Sequence, residues 1–371
     1  MLKSLNSVKS IEIRAADALR SVLDQVPTIK LKSIDRESEI NQAQLDIVAK
    51  LSVSGRSHTL VCEVKASGQP RYVRTALLRL RSYVADLGHE VTPVLIAPFL
   101  SSSAQGLCRE QEVGFLDLEG NVRLAFDSVF IERAVSSKPA VERRELRSLF
   151  KPKSAQVLTV MLRDPARPWR VAELAEAADV SLGHISNVRA GLLDREWGHR
   201  SQQGLLLSAP DALLDAWRDA YRPPAGRRVG LYTTLHGRAF EEAARRIVGT
   251  GSDKGQAIFA SFSAAHWLAP FARTGTQFFY VDERGLERLQ TALALSSPAQ
   301  GENVVVTVIE DAGVFREAVE PAPGIACSGL VRTYLDLSVA GARGRKLPST
   351  CDARGWVGKG DSAGPAARHR L

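Results

Sequence analysis

Three residues able to do phosphate chemistry stand on two short apolar runs, Gln44-Leu45-Asp46-Ile47-Val48 and Leu60-Val61-Cys62-Glu63-Val64-Lys65. Both runs read as strands, because Ile, Val and Leu dominate them and each is short. On a strand, residues two apart project to the same face. Glu63 and Lys65 therefore share a side, and an Asp at the end of a neighbouring strand can meet them there. The expected result is two carboxylates and one ammonium around one point. Hard cations such as Mg²⁺ prefer oxygen ligands and keep several waters, which suits Asp46, Glu63 and a backbone carbonyl. Lys65 would hold, or help deprotonate, a water beside a phosphate.

The elements that must position this set follow from the flanking sequence. Asp46 and Glu63 are 17 positions apart, enough for a hairpin turn at Ser54-Gly55-Arg56-Ser57. Gln69 to Asp86 reads as a helix and Pro93 to Pro98 as a further strand. This Asp, Glu-x-Lys arrangement resembles the PD-(D/E)xK nuclease superfamily, which includes Holliday-junction resolvases and restriction-like enzymes. The resemblance implies a restriction-endonuclease-like αβ domain over residues 1–135 and catalytic roles for Asp46, Glu63 and Lys65. It implies Mg²⁺ held by Asp46 and Glu63 if the site is active. It also implies a Gln or Arg contributed by the following helix, which nominates Gln69 for the site and Arg71 and Arg74 for DNA. A Glu from the first helix would be Glu12.

The chain has 371 residues, suited to two or three domains. Hydrophobic residues at 44% and charged residues at 24% are those of a globular protein. No apolar run approaches the roughly 18–20 residues of a membrane span, and Met1-Leu2-Lys3-Ser4 does not open a signal peptide. Cysteines at 62, 108, 327 and 351 have no paired metal spacing, so a reducing cytoplasm is the expected home. The net charge of +8 invites a nucleic-acid reading, yet +5 of it lies in Gly341–Leu371, with seven Lys/Arg against two Asp/Glu. Any argument for DNA must rest on local clusters.

Ser4 to Val26 reads as the first helix, with Ile11, Ala15, Ala18, Leu19, Val22 and Leu23 at helical spacing and Pro27 as the stop. The helix from Gln69 carries Arg71, Arg74, Arg79 and Arg81, while Val73, Leu77, Leu80 and Val84 form its buried stripe. The arginines are expected off that stripe, facing phosphates or solvent. Ser101 to Glu112 reads as a helix capped by Ser101–Ser103. Phe115 to Leu124 reads as a hairpin around Glu119-Gly120-Asn121, with Asp117 and Glu119 in turn or solvent-face roles. Residues 136–153, polar and basic with Pro139 and Pro152, read as a linker with room for a short helix.

Residues 154–222 carry a helix-turn-helix pattern. Ala155–Leu162 and Val171–Ala178 make helices, Asp179-Val180-Ser181 the turn, and Leu182 to Leu193 the reading helix with Ser181 as its N-cap. Leu182, Ile185, Val188 and Leu192 form its apolar stripe. Ser181, His184, Ser186, Asn187 and Arg189 avoid it and are the expected DNA-binding residues, Asn and Arg being able to pair bidentately with adenine and guanine. Trp197 to Ser208 would be a wing. The segment resembles winged-helix DNA-binding domains of bacterial regulators.

Past a boundary at Arg222-Pro223-Pro224-Ala225-Gly226, an α/β order runs through residues 226–338. Its Phe-Ser-Ala-Ala-x-Trp-Leu-Ala-Pro stretch (residues 262–270), its Tyr280-Val281-Asp282 strand and its Thr-Tyr-Leu-Asp-Leu ending (residues 333–337) resemble the C-terminal domain of AbiEi-family antitoxins of type IV toxin–antitoxin systems. Those antitoxins also place a winged helix before this domain and repress their own operon. The topology implied is nucleotidyltransferase-like. Ala260-Ser261 and Asp282-Glu283 are a poor echo of an active centre, because adjacent strand residues point to opposite faces, so an interaction fold is expected. His266 and Trp267 read as packing residues. Residues 339–371 read as a disordered basic tail.

The expectation is thus an α/β multidomain protein: a nuclease-like domain, a central winged helix-turn-helix and a C-terminal nucleotidyltransferase-like domain. The leading functional reading is a bacterial DNA-binding transcriptional regulator or antitoxin that autorepresses its operon. Double-stranded DNA would be its partner, together with a nucleotidyltransferase-like toxin or that toxin's target. The alternative is a Mg²⁺-dependent DNA endonuclease of the PD-(D/E)xK superfamily delivered by the winged helix. A third reading is an antitoxin acting only through protein contacts of its last domain.

Overall fold

The computed structural model describes residues 2–40, 43–85, 90–136, 138–249, 255–268, 275–297 and 301–340. Of the expected disordered tail over residues 339–371, Val339 instead ends a helix and the part from Gly341, with Cys351, lies outside the described residues, as do Asp86 at the end of the arginine-bearing helix and the Ala269-Pro270 end of the Phe-Ser-Ala-Ala stretch. The chain is mixed α/β with several sheets. It divides into two compact units, Met1–Arg143 with Leu193–Glu196, and Arg144–Leu192 with Trp197–Leu371.

The first unit is built on a seven-stranded sheet. Its elements run α1 (Leu2–Leu23), β1 (Ile29–Ile40), β2 (Ala43–Val53), β3 (Arg56–Val64), α2 (Pro70–Val84), β4 (Val91–Ala97), α3 (Ser102–Glu110), β5 (Gly114–Asp117), β6 (Val122–Phe126) and β7 (Val129–Arg133). Strand order follows sequence order, β1 to β7. The pairs β1–β2, β2–β3, β5–β6 and β6–β7 are antiparallel, while β3–β4 and β4–β5 are parallel. The two parallel pairs need crossovers, and α2 and α3 supply them.

Alternation along the strands gives the sheet two apolar faces. Ile47, Leu51, Leu60, Cys62 and Ile96 pack with Ala15, Leu19 and Leu23 of α1. Val48, Val61, Leu95 and Phe115 pack with Val73, Leu77 and Leu80 of α2 and Cys108 of α3. The β2–β3 turn is only Ser54-Gly55, with φ of 48° and 91°. Positive φ at both central residues is the type I′ signature, whose twist matches the flanking strands. Helix α2 begins with Pro70 at its first turn after Gln69, and α3 begins with Ser101 accepting the N–H of Ala104.

Asp117 corrects a solvent-face expectation, since it is buried and not exposed. Its carboxylate accepts the backbone N–H groups of Leu100, Glu119 and Asn121 and the Asn121 side-chain amide. Four donors fix the β5–β6 turn to the start of α3 and satisfy the buried charge.

α4 (Ala140–Leu149) follows β7 within the segment read as a linker. The second unit then carries α5 (Pro152–Arg163), α6 (Val171–Ala178), α7 (Leu182–Asp194), the two-stranded β8 (Gly198–Arg200) and β9 (Leu205–Leu207), and α8 (Pro210–Ala220). Asp179, in the left-handed conformation, ends α6. Beyond lie β10 (Gly226–Leu231), α9 (Gly237–Arg245), β11 (Ala257–Phe259), α10 (Ser261–Leu268), β12 (Gln277–Val281), α11 (Glu283–Ala292), β13 (Val304–Ile309), α12 (Gly313–Arg316), β14 (Val319–Ala322), β15 (Ile325–Cys327) and α13 (Leu330–Val339). Here six strands pair in the order β10-β13-β12-β11-β15-β14. Phe240, Phe259, Phe279, Leu289, Val306 and Phe315 fill the core around them. Residues 226–338 and, apart from Leu193–Glu196, residues 154–222 belong to this unit.

Candidate active site

Asp46 sits on β2 and Glu63 on β3, one residue beyond the antiparallel pair Ile47–Cys62. The ladder ends at that pair, and just beyond it Asp46 lies close enough to Glu63 to feel its charge. The Asp46 carboxylate accepts the N–H of Val64 through Oδ2 at 2.6 Å. Glu63 is buried, its side chain only 3% exposed. Its Oε1 accepts from Lys65 Nζ at 2.5 Å and from Arg79 Nη1 at 3.2 Å. Lys65 follows the end of β3, tied to β4 by its N–H donating to the Ile96 carbonyl at 2.8 Å.

Burial pushes the Asp46 carboxyl above its ordinary range, and Glu63 adds to the effect against the Val64 N–H, Lys65 and Arg79. Glu12 of α1 is also pushed up, first by burial and then by the negative charge of Asp46. The Arg79 guanidinium is raised, chiefly by Glu63. The cluster thus holds two carboxylates against two cations, with Glu12 close enough to feel Asp46.

The other nominated residues of this unit point elsewhere. Gln69 donates its amide to Glu142 at 2.9 Å, and Arg195 grips the same carboxylate at 3.0 and 3.2 Å. Arg71 pairs with Asp194 at 3.7 Å. Arg74 makes a fork to Glu196 at 3.0 and 2.8 Å. Arg79, which the sequence marks only as one of four arginines off the stripe, is the one that reaches the acids. It borders the buried positions Ala76 and Leu80, so the only sequence signal is its place at the margin of that stripe.

The donor chemistry fits a hard divalent cation. Asp46 Oδ1 and Glu63 Oε2 accept no hydrogen bond among the described residues. No group of three or more His, Cys, Asp or Glu able to hold a metal occurs among those residues. Mg²⁺ commonly takes one or two carboxylates and completes its shell with water and substrate phosphate, so two carboxylates are compatible with it and not with a zinc cage. The thiol of Cys62 is buried on the opposite face of β3 and pushed up by that burial.

In the second unit, Ser181, His184, Ser186 and Asn187 of the α6–α7 region are exposed and Arg189 is half-buried. Ser181 Oγ pairs with His184 Nδ1 at 2.9 Å. Ile185, Val188 and Leu192 are buried as the stripe requires, but Leu182 is 58% exposed. It stands at the first turn of α7, where the helix has not yet met the core. The Asp282-Glu283 pair has local duties: Asp282 accepts the N–H of Gly285 at the start of α11, and Glu283 pairs with Arg227. Trp267 packs on Phe259, their ring centroids 6.1 Å apart.

No family model and no curated protein matches the chain. Among solved structures it is similar to a repair endonuclease from Pyrococcus abyssi, at 20% identity and a TM-score of 0.21, over 28% of this chain and 46% of that one. It is similar to EndoMS in complex with double-stranded DNA at 20% identity and a TM-score of 0.22, over 28% and 44%. The apo form of EndoMS matches at 19% and 0.21, over 28% and 45%. The chain thus spans less than half the length of each. Among the described residues no helix is long and apolar enough to cross a membrane.

Proposed function

We propose that the first unit carries a metal-dependent phosphodiester-cleaving site of the PD-(D/E)xK type, acting on DNA. One observation carries the reading: Asp46 accepts the N–H of Val64, the residue after Glu63, while Lys65 Nζ sits 2.5 Å from the Glu63 carboxylate. Asp46 and Glu63 would hold Mg²⁺ or Mn²⁺ through their free oxygens. When bound, such an ion supplies positive charge to a phosphate oxygen and acidifies a water. Lys65, an ammonium paired with Glu63, would donate to the attacking water and hold positive charge beside the phosphate. The β3–β4 pairing fixes its backbone, so its ammonium is preorganised for that task.

The second unit's part would be to bind duplex DNA. The run of α6, a tight turn, α7 and the β8–β9 hairpin supports a winged helix-turn-helix reading. Its contacts would come from Ser181, His184, Ser186, Asn187 and Arg189. The same surface would serve a transcriptional regulator, which the exposure of Ser186 and Asn187 favours. An AbiEi-type antitoxin role and a toxin partner draw on the sequence resemblance alone.

The test is a Mg²⁺- or Mn²⁺-dependent cleavage assay on supercoiled, linear, mismatched and branched DNA, run beside a binding assay on the same DNAs. Ion-dependent cutting of one form supports the nuclease. Tight binding with no cutting of any form would leave the regulator.

A further inference from the structure

Oxygen Oε1 of Glu63 is shared by two cations of different character. Lys65 is 24% exposed, two residues away on the same chain segment. Arg79 comes from α2, is 53% exposed, and has a second tether in Tyr83, whose hydroxyl accepts from Nη2 at 3.1 Å. With Asp46 and Glu63 ionised, Lys65 and Arg79 neutralise the pair without any metal. A divalent ion entering that cluster brings two further positive charges into a partly buried place, and ions of like sign repel strongly there. One resident cation must withdraw for the ion to bind well. Arg79 is the one able to, being long, half in solvent and anchored on a separate helix.

Resting on the phosphodiesterase reading above, we infer that Arg79 is a gate: its guanidinium holds the Glu63 carboxylate in the absence of nucleic acid and transfers to a backbone phosphate when DNA arrives, freeing that carboxylate for the metal. A guanidinium suits both partners, since carboxylate and phosphate each offer the paired oxygens its fork matches. Withdrawal to Tyr83 keeps it close during the exchange. Two consequences follow from linkage. DNA tightens metal binding, and metal tightens DNA binding by the same factor. The free protein holds its ion weakly and cuts little until a phosphate is in place. Arg79 acts here as a positioning residue.

The experiment titrates Mn²⁺ into the full-length chain by calorimetry, with and without a saturating phosphorothioate duplex that resists cleavage. The parent is expected to bind Mn²⁺ more tightly with the duplex, by a factor in the range of about 5–150 that such couplings span. Arg79→Gln should bind Mn²⁺ more tightly than the parent without DNA, by a similar factor, and gain little when DNA is added. Arg79→Lys, which keeps the charge, should restore part of the coupling. The thermal melting of Arg79→Gln should match the parent, because the side chain is half in solvent. Arg79→Gln with parental Mn²⁺ affinity in both states would overturn the gate while leaving the metal site standing. Absence of Mn²⁺ binding to the parent with and without DNA, or binding unaffected by Asp46→Asn, would instead sink the phosphodiesterase reading and the gate with it.

Discussion

The Asp46 carboxylate on β2 accepts the N–H of Val64 at the end of β3, just past the last β2–β3 pair, Ile47–Cys62, and next to Glu63. The carboxylate is thereby held in place before any ion arrives. Asp46→Asn keeps an acceptor for Val64 but removes the charge. It should leave the fold intact and weaken Mn²⁺ binding by more than about tenfold, a cost that even outer-shell changes at metal sites carry. Because burial raises the Asp46 carboxyl, Mn²⁺ binding should also fade on acidification above the pH at which an ordinary aspartate protonates. Calorimetric titrations across a pH series check both outcomes.

A close backbone approach beside the site is equally testable. A Cβ on Gly68 would lie 1.9 Å from the carbonyl oxygen of Phe99. Gly68 joins Lys65 to α2, so the chain there must shift if a side chain is added. Gly68→Ala should destabilise the first unit by about 1–3 kcal/mol, the usual cost of overpacking, and should slow cleavage by moving Lys65. Hydrogen exchange of β3 and α2 amides reads the first effect.

In the second unit, Asn187→Ala combined with Arg189→Ala should weaken specific duplex binding by about 1–3 kcal/mol for each bidentate base pairing removed. Folding should change little, since Ile185, Val188 and Leu192 carry the buried face of α7. Unchanged duplex affinity in a filter-binding or anisotropy assay would remove α7 as the reader.

Asp336 supplies a pH signature. It is buried, accepts the Tyr221 hydroxyl at 2.6 Å and the Tyr280 hydroxyl at 2.8 Å, and is pushed up by that burial to about 6 from an ordinary 3.8, against the pull of the tyrosines and Arg332. A carboxyl raised in the folded state binds a proton more tightly there than when unfolded. Its contribution is therefore fully present below the unfolded value and is lost as pH rises through the folded one. Stability of the second unit should fall between about pH 4 and 6 and level off above, as far as this group sets it. Asp336→Asn should flatten that slope in pH-dependent unfolding monitored at α13 amides.

Much of the fold and site is legible in the sequence, for physical reasons that differ by residue. Strand alternation alone puts Glu63 and Lys65 on one face, and the period of two leaves little freedom once β3 is recognised. The helices from Gln69 and Ser101 are readable from spacing and capping, and α6 matches its expected Val171–Ala178 limits. Strand β1 is not legible. Its Lys30-Leu31-Lys32-Ser33-Ile34-Asp35 run is polar enough to pass for a loop, as an edge strand with one neighbour can be. The short β14–β15 pair and α12 escape a pattern reading because each element spans only three or four residues. Arg79 is visible but not distinguished from its neighbours, since helical spacing gives the buried stripe and not which flank leans over a neighbouring strand. Gln69, Arg71 and Arg74 find Glu142, Asp194 and Glu196, partners 73 to 123 positions away in sequence that no local pattern announces.

The most direct measurement of the central claim compares the parent with Lys65→Ala in two assays on the same DNA, at the same Mg²⁺ or Mn²⁺ concentration. Ion-dependent cleavage is expected of the parent and a loss of about 10²–10³-fold of the variant, the range typical of one removed donor to developing charge, with DNA affinity and melting temperature close to parental. A variant that cuts as fast as the parent, or a parent that binds these DNAs and cuts none with either ion, would contradict it.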